Sequence, residues 1–195
     1  MSLAKQAKTL TKGQIDALLA LIATRRHPER NRVIALLSVR AGLRAKEIAS
    51  LRWSMVTDAE GKLSDSISLT DTASKGKSGR IIPLSKDLRV ALSILKSLNV
   101  GRDASDYVIT TERSDRTSAQ AIVNLFAGWY SHLGYTGASS HSGRRTAITN
   151  WARKISTVGG SLRDVQLLAG HSALGTTQRY IEANEDAKRR VVEMV

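Results

Sequence analysis

The chain has no cysteine. Disulfides, zinc–thiolate centres and cysteine nucleophiles are therefore excluded by composition, and nothing in its chemistry depends on redox state. It also lacks any apolar run near the roughly 20 residues that span a bilayer, and no signal-peptide pattern opens it. A cytoplasmic, nucleoid-associated location with no membrane partner is expected. Metal-ligand spacing is missing too: the four histidines form neither His-x-x-x-His nor His-Glu-x-x-His, and no carboxylate cluster accompanies them. No metal or cofactor is expected. Repeats, low-complexity tracts and a dividing linker are absent, so the 195 residues read as one domain with a substantial core.

Acid is scarce relative to base. Seventeen Asp and Glu face 30 Lys and Arg, a net charge of +13 and a pI near 10.5. With membrane attachment unsupported, that imbalance is the electrostatic footprint of a nucleic-acid binder.

The hydrophobic pattern is mainly helical. Residues 1–10 carry no periodicity and read as a flexible lead-in. Thr11 and Gln14 form a capping box before Ile15, Leu18, Leu19 and Ile22, predicting a helix to about Thr24. A second helix follows Pro28 with Val33, Ile34, Leu36 and Leu37 inward and stops near Gly42, after which a short helix carries Leu43, Ile48 and Leu51. From Met55 to Leu84 the pattern becomes extended. Ser66–Thr70 and Arg80–Leu84 predict an antiparallel pair around the polar, glycine-containing run Asp71–Gly79. Helices resume with Ser85 as N-cap, and a short extended piece at Tyr107–Thr110 precedes a helix from about Ser118 to Leu133. Further helices are expected over His141–Ala152, after Ser161 with Asp164 as its capping acid, and from Thr176 or Thr177 through Tyr180. The fold class is α+β, mainly helical with a small antiparallel sheet.

Several residues carry possible chemistry. Tyr180 lies nine residues after His171. A phenol titrates near pH 10 and attacks poorly unless cations favour its anion, and taken alone such a tyrosine is more often an amphipathic packing residue. Cations are available: Arg44 opens the short third helix, where it can hold phosphate or simply pair with Glu47 at i,i+3. His141 and Arg144 fall on one face of their helix. Lys75, with Lys77 as its rival, stands among the hairpin glycines Gly76 and Gly79, able to reach a polyanion or merely to be solvated.

Together Gly42-Leu43-Arg44-x-x-Glu47, the hairpin lysine Lys75, His141-x-x-Arg144, Leu167-Leu168-x-Gly170-His171 and Tyr180 occur in one fixed order. On these residues the chain resembles the catalytic domain of tyrosine recombinases, the phage-integrase family, over residues 11–184. The resemblance implies a site-specific DNA recombinase that cuts and rejoins strands through a 3′-phosphotyrosine intermediate, with neither ATP nor metal. It implies Tyr180 as nucleophile, Arg44 and Arg144 neutralising the phosphate, and His171 hydrogen-bonding it. It also implies His141 assisting proton transfer at the tyrosine, Lys75 as general acid and Glu47 as support. The expected partner is double-stranded DNA, bound by a homotetramer that forms on it from monomers, with residues 185–195 docking on a neighbouring protomer. Two other functions use the same features: a type IB topoisomerase, and an idle DNA-binding module such as a prophage remnant or recombination inhibitor. Full-length family members usually add an N-terminal helical clamp, and its absence here predicts weak, salt-sensitive DNA binding. Without DNA, Tyr180 is expected to sit displaced from the phosphate-holding residues or to be poorly ordered.

Overall fold

A computed structural model describes residues 7–73, 79–180 and 191–193. Along it run α1 (Lys12–Ala23), α2 (Pro28–Val39), α3 (Ala45–Ala49), β1 (Ser66–Leu69), β2 (Arg80–Pro83), α4 (Lys86–Leu98), α5 (Ala119–His132), α6 (Ser142–Lys154), α7 (Leu162–Ala169) and α8 (Leu174–Gln178). Among the described residues the sheet has two antiparallel strands, with Ser66 opposite Pro83 and Leu69 opposite Arg80. The α+β expectation holds in this form. The extended piece at Tyr107–Thr110 adds no third strand: Tyr107 forms a single bridge to Arg52.

Helix α2 is the axis of the body. Asn31 and every residue from Val33 to Val39 are buried, and α1, α3, α4 and α6 pack around it. A helix apolar on all sides has to be enclosed to be stable, which is why four inward positions read from its sequence become eight buried residues. The large core continues through Leu43, Ile48 and Leu51 to Ile67 and Ile82 of the sheet and Phe126 and Tyr130 of α5. A smaller cluster of Ile148, Val165 and Ala169 joins α6 to α7, with Trp151, Leu162 and Tyr180 leaning on it.

Local caps explain several helix boundaries. Thr11 Oγ1 accepts from the Gln14 N–H at 3.2 Å, and Gln14 Oε1 accepts from the Thr11 N–H at 2.9 Å, a reciprocal box that satisfies two exposed donors. Asp164 Oδ2 accepts from the Ser161 N–H at 2.7 Å. Ser85 occupies the N-cap of α4 but gives its hydroxyl to Asp87 Oδ1 at 2.6 Å, and Asp87 takes the Leu88 N–H at 3.0 Å.

Two expectations need correcting. Residues 8–10 of the lead-in are docked: Leu10 is buried, its N–H bonds Thr146 Oγ1 at 2.7 Å, and the Lys8 N–H bonds the Gly137 carbonyl at 3.3 Å. Neither Thr176 nor Thr177 caps a helix containing Tyr180. Helix α8 starts after Ala173 and ends at Gln178, leaving Tyr180 in the turn beyond it. Thr177 is fully buried with its hydroxyl turned to His171, so a tertiary bond takes the group that would have capped. Of the tail, Val191 and Val192 are described and exposed; Ile181, Met194 and Val195 lie outside the described residues. No helix among the described residues is long and apolar enough to cross a membrane.

Candidate active site

One cavity of about 520 Å³ is lined by Arg44, His141, Arg144, His171 and Tyr180, together with Arg145, Thr176, Arg179 and residues of the 137–139 loop. Five sequence candidates separated by up to 136 positions thus share one surface. Lys75 and Lys77 lie outside the described residues. Gly79, which closes the hairpin segment that carries them, lines a second cavity of about 980 Å³ that shares Arg44, His171 and Thr176 with the first.

The arginines are delivered by chain ends rather than by helix faces. After α2 the backbone turns at Gly42, whose φ of 63° and whose Cβ-less face against Trp151 both require glycine. The turn places Arg44 at the start of α3. Glu47, three residues on, accepts from the Arg44 N–H and from Arg44 Nη1, both at 2.8 Å. The pairing read as the bland alternative is therefore present, and it aims the guanidinium: the Arg44 side chain stays 26% exposed while Glu47 is wholly buried.

A buried carboxylate needs more than one partner. The second is Arg80, the first residue of β2, which was read from sequence only as a strand residue. Its Nη1 and Nη2 reach the two Glu47 oxygens at 3.0 and 3.1 Å, and its Nε donates to the Leu168 carbonyl at 2.8 Å. Burial pulls the Glu47 carboxyl up, but the bonds and charges of Arg80 and Arg44 outweigh it and hold the group below the usual carboxylate range.

Arg144 is 5% exposed. Its Nη1 donates to the Gly42 carbonyl at 2.6 Å; its Nη2 donates to the Ala169 carbonyl at 2.7 Å and lies 3.0 Å from His171 Nε2. Burial, and after it the charge of Arg44, pushes the guanidinium down to about 10, so it is protonated at neutral pH. Since arginine only donates, His171 Nε2 is the acceptor, and the ring proton sits on Nδ1, which donates to Thr177 Oγ1 at 2.9 Å. Burial, then the charges of Arg144, Arg44 and Arg80, pushes His171 down to about 4. The free site holds a neutral imidazole beneath three guanidiniums and one carboxylate, an excess of positive charge suited to an anion.

Tyr180 stacks on His171, with ring centroids 5.6 Å apart and planes at 23°, while the Arg145 guanidinium lies 6.0 Å from its ring centre. The ring is half-buried and faces the cavity, so the expected displacement from the cationic residues is not seen. His141 is exposed at the N-cap of α6, its N–H bonding Ser139 Oγ at 3.3 Å. Arg80, Thr177 and Arg145 are the site residues that sequence reasoning missed. Each acts through a partner remote in sequence or through a bond that no periodicity encodes. Among the described residues no group of His, Asp or Glu side chains could hold a metal ion.

The sequence pattern of the phage integrase family matches residues 8–187. Tyrosine recombinase XerA of Thermococcus kodakarensis is 29% identical over 191 residues, covering 95% of this chain and 62% of the relative. Tyrosine recombinase XerC of Herpetosiphon aurantiacus is 26% identical over 185 residues, covering 92% and 57%. The crystal structure of XerA recombinase superposes with a TM-score of 0.73 at 23% identity, over 95% of this chain and 64% of that one. That of a lambda integrase dimer bound to a COC′ core site does so with a TM-score of 0.69 at 18% identity, over 90% and 48%. These two structural likenesses speak for the fold. The chain spans about three-fifths of the length of the XerA relative. With the family pattern running through nearly all of it and the motif residues gathered at one cavity, the chain belongs to the phage integrase family.

Proposed function

We propose that this chain is the catalytic domain, over residues 11–184, of a site-specific DNA recombinase that cleaves and rejoins duplex DNA through a 3′-phosphotyrosyl intermediate. The observation that carries this reading is the single cavity shared by Tyr180, Arg44, Arg144, His141 and His171. The longer relatives that the chain matches are named tyrosine recombinases, which supports the same reaction.

In the proposed step a scissile phosphate enters the cavity and its non-bridging oxygens meet Arg44 and Arg144. Fixed guanidiniums stabilise the charge that builds in the transition state without reorganising. The Tyr180 oxygen bonds to phosphorus as the bond from phosphorus to the 5′ oxygen breaks. Its proton leaves through His141, and the departing oxygen takes a proton from Lys75. Lys75 is four residues along the chain from Gly79 of the adjoining cavity, within about 14 Å of extended backbone. Attack by another 5′ hydroxyl on the phosphotyrosine reverses the sequence, and no bond energy is lost. His171 contributes differently in the two states. Its Nε2 accepts from Arg144 in the free protein, so donation to a phosphate oxygen from that atom requires protonation, which the anion itself favours. Duplex DNA is the partner, with a homotetramer assembling on it and residues 185–195 reaching a neighbouring protomer.

A library of nicked duplexes with randomised cores tests the reading. Wild-type protein is expected to form a denaturation-resistant adduct with a subset of the library, and Tyr180→Phe to form none. Adduct that persists with phenylalanine would remove Tyr180 as the nucleophile, and relaxation of supercoiled plasmid without strand exchange would replace recombination by a topoisomerase reaction.

A further inference from the structure

The C-terminal end of α7 is closed by two buried arginines on successive carbonyls. A helix leaves its last four carbonyls without intrahelical partners. Here the Gln166 carbonyl takes the His171 N–H at 3.1 Å and the Leu167 carbonyl takes the Gly170 N–H at 3.0 Å. The remaining two go to side chains: Leu168 to Arg80 Nε at 2.8 Å and Ala169 to Arg144 Nη2 at 2.7 Å. His171 begins two residues later, so whatever fixes this helix end fixes the imidazole.

Arg80 is also tied to the other side of the anion site. Its two terminal nitrogens grip both oxygens of Glu47, and those same oxygens hold Arg44 through its N–H and its guanidinium. Glu47 is wholly buried and the Arg80 side chain only 5% exposed. All three nitrogens of the Arg80 guanidinium are thus engaged with protein acceptors. One planar fork joins the carboxylate that aims Arg44 to the helix end that carries His171, a geometry that an ammonium cannot reproduce.

We propose that Arg80 is a positioning residue for the phosphate site: it sets Arg44 against His171 through Glu47 and the Leu168 carbonyl, and does not itself bind the phosphate. The proposal rests on the recombinase reading, because it concerns the rate of Tyr180 attack. Loss of the brace slows the chemical step far more than it weakens DNA binding, since a misplacement of about 1 Å can cost roughly 100-fold in rate.

The duplex recovered in wild-type adduct from the randomised library is the probe. Single-turnover cleavage at saturating duplex, and affinity for the same duplex, are measured for wild type, Arg80→Lys, Arg80→Gln, Glu47→Gln and the double variant, each checked for folding by thermal melting. Arg80→Gln is expected to lose about 100-fold in cleavage with affinity little changed, and Arg80→Lys to recover part of that loss. The double variant is expected to be no slower than Arg80→Gln, because two residues acting through one contact are non-additive. It also removes both buried charges and keeps the test open if Arg80→Gln does not fold. In the protein without DNA, the His171 imidazole nitrogen resonances are expected to shift in Arg80→Lys. A folded Arg80→Gln that cleaves at the wild-type rate would overturn the proposal, as would a loss confined to affinity, which would make Arg80 an ordinary DNA contact. Failure of the wild-type protein to form any adduct would defeat the recombinase reading instead. In that event unmoved His171 resonances in Arg80→Lys would still refute the brace.

Discussion

The two ends of α2 both carry clustered cations beside a cavity, and they are built in opposite ways. At its N-terminal end Arg25, Arg26, His27, Arg30, Arg113 and His132 surround about 730 Å³. Arg26 is 76% exposed and clasps Glu112, itself 49% exposed, and His27 bonds the same carboxylate at 3.0 Å. About 18 Å away along a twelve-residue helix, Arg44, Arg80 and Arg144 are held by the wholly buried Glu47 and by the carbonyls of Gly42, Leu168 and Ala169. The cavity of the cluster without a tyrosine, about 730 Å³, is larger than the 520 Å³ one that holds Tyr180 and smaller than the 980 Å³ one adjoining it. Clustered positive charge beside a cavity does not by itself mark the site, therefore. What distinguishes it is that Arg44, Arg80 and Arg144 all converge on protein acceptors before any ligand arrives. At the other end Arg30 is held in that way by Asn31 Oδ1 and the Thr110 carbonyl, but the exposed Arg26–Glu112 pair must surrender side-chain entropy to hold one geometry.

The largest effect expected from that difference is at Arg144. Arg144→Lys keeps the charge but cannot span the Gly42 and Ala169 carbonyls. Single-turnover adduct formation is expected to fall by about 10³-fold, the upper range for removing one fixed donor to a transition state. Denaturant unfolding should show a loss of about 2–4 kcal/mol from buried carbonyls left without donors. A lysine variant that retains both rate and stability would mean that fixed geometry is not what separates the two ends.

Gly143 tests the packing beneath the site. It brings α6 so close to α2 that an added Cβ would lie 2.3 Å from Ser38 Oγ, and Arg144 follows immediately in the chain. Gly143→Ala is expected to cost about 1–3 kcal/mol, as overpacking does, and to slow adduct formation by moving Arg144. Among the described residues Ser38 Oγ, which is buried, has no hydrogen-bond partner, so Ser38→Ala removes the closest contact and loses no bond, leaving Ser38 Cβ and Val39 Cγ1 each at 3.0 Å. The double variant should recover part of the stability in a denaturant titration; additive losses would place the strain elsewhere.

Much of this architecture was legible locally. Thr11 with Gln14 and Ser161 with Asp164 mark helix starts because their partners are three residues away, and the ordered motifs brought five of the cavity's residues into view before any coordinates. What escaped notice depends on distance in sequence. Glu47 and Arg80 are 33 positions apart, and Arg80 and Leu168 are 88 apart, so the brace exists only once β2 lies against α7. Thr177 misled for another reason: its hydroxyl suits an N-cap, but its partner His171 is only six residues back and burial against it gives the hydroxyl a stronger use. The docking of Leu10 on Thr146 spans 136 positions and leaves no periodic trace. The buried C-terminal part of α2, Val33–Val39, was underread because an enclosed helix shows no polar face to contrast with its apolar one.

The two ends should also differ in acid. The folded His171 titrates at about 4, below the roughly 6.5 of an unfolded histidine, so between those values the unfolded chain binds more protons than the folded one. Stability from this group is complete above about pH 6.5 and declines as pH falls toward 4. Glu47, held below its ordinary range, adds a further loss at lower pH. On the proposed reading, an anion held beside His171 would favour its protonated form. Inorganic sulfate, a dianion throughout this range, should therefore bind with proton uptake, more tightly at pH 5.5 than at pH 7.5, and His171→Gln should flatten that dependence. Isothermal titration in buffers of different ionisation enthalpy reads the proton count directly. Zero uptake at pH 5.5 would mean that the anion does not bind against a protonated imidazole.

The smallest effect is predicted at the N-terminal end of α2. Arg26 Nη2 donates to both oxygens of Glu112, yet both residues are substantially solvated, and exposed pairs contribute about 0–1 kcal/mol. Arg26→Gln is expected to change unfolding free energy by less than about 1 kcal/mol and to leave adduct formation at saturating duplex unaltered. If Arg26 meets DNA phosphate, its removal lowers the slope of log affinity against log salt by about one, and the rate still holds. A large fall in rate at saturating DNA would show that this cluster communicates with Tyr180. The contrast between a fixed site and a solvated one would then have to give way to a single basic surface acting along the whole of α2.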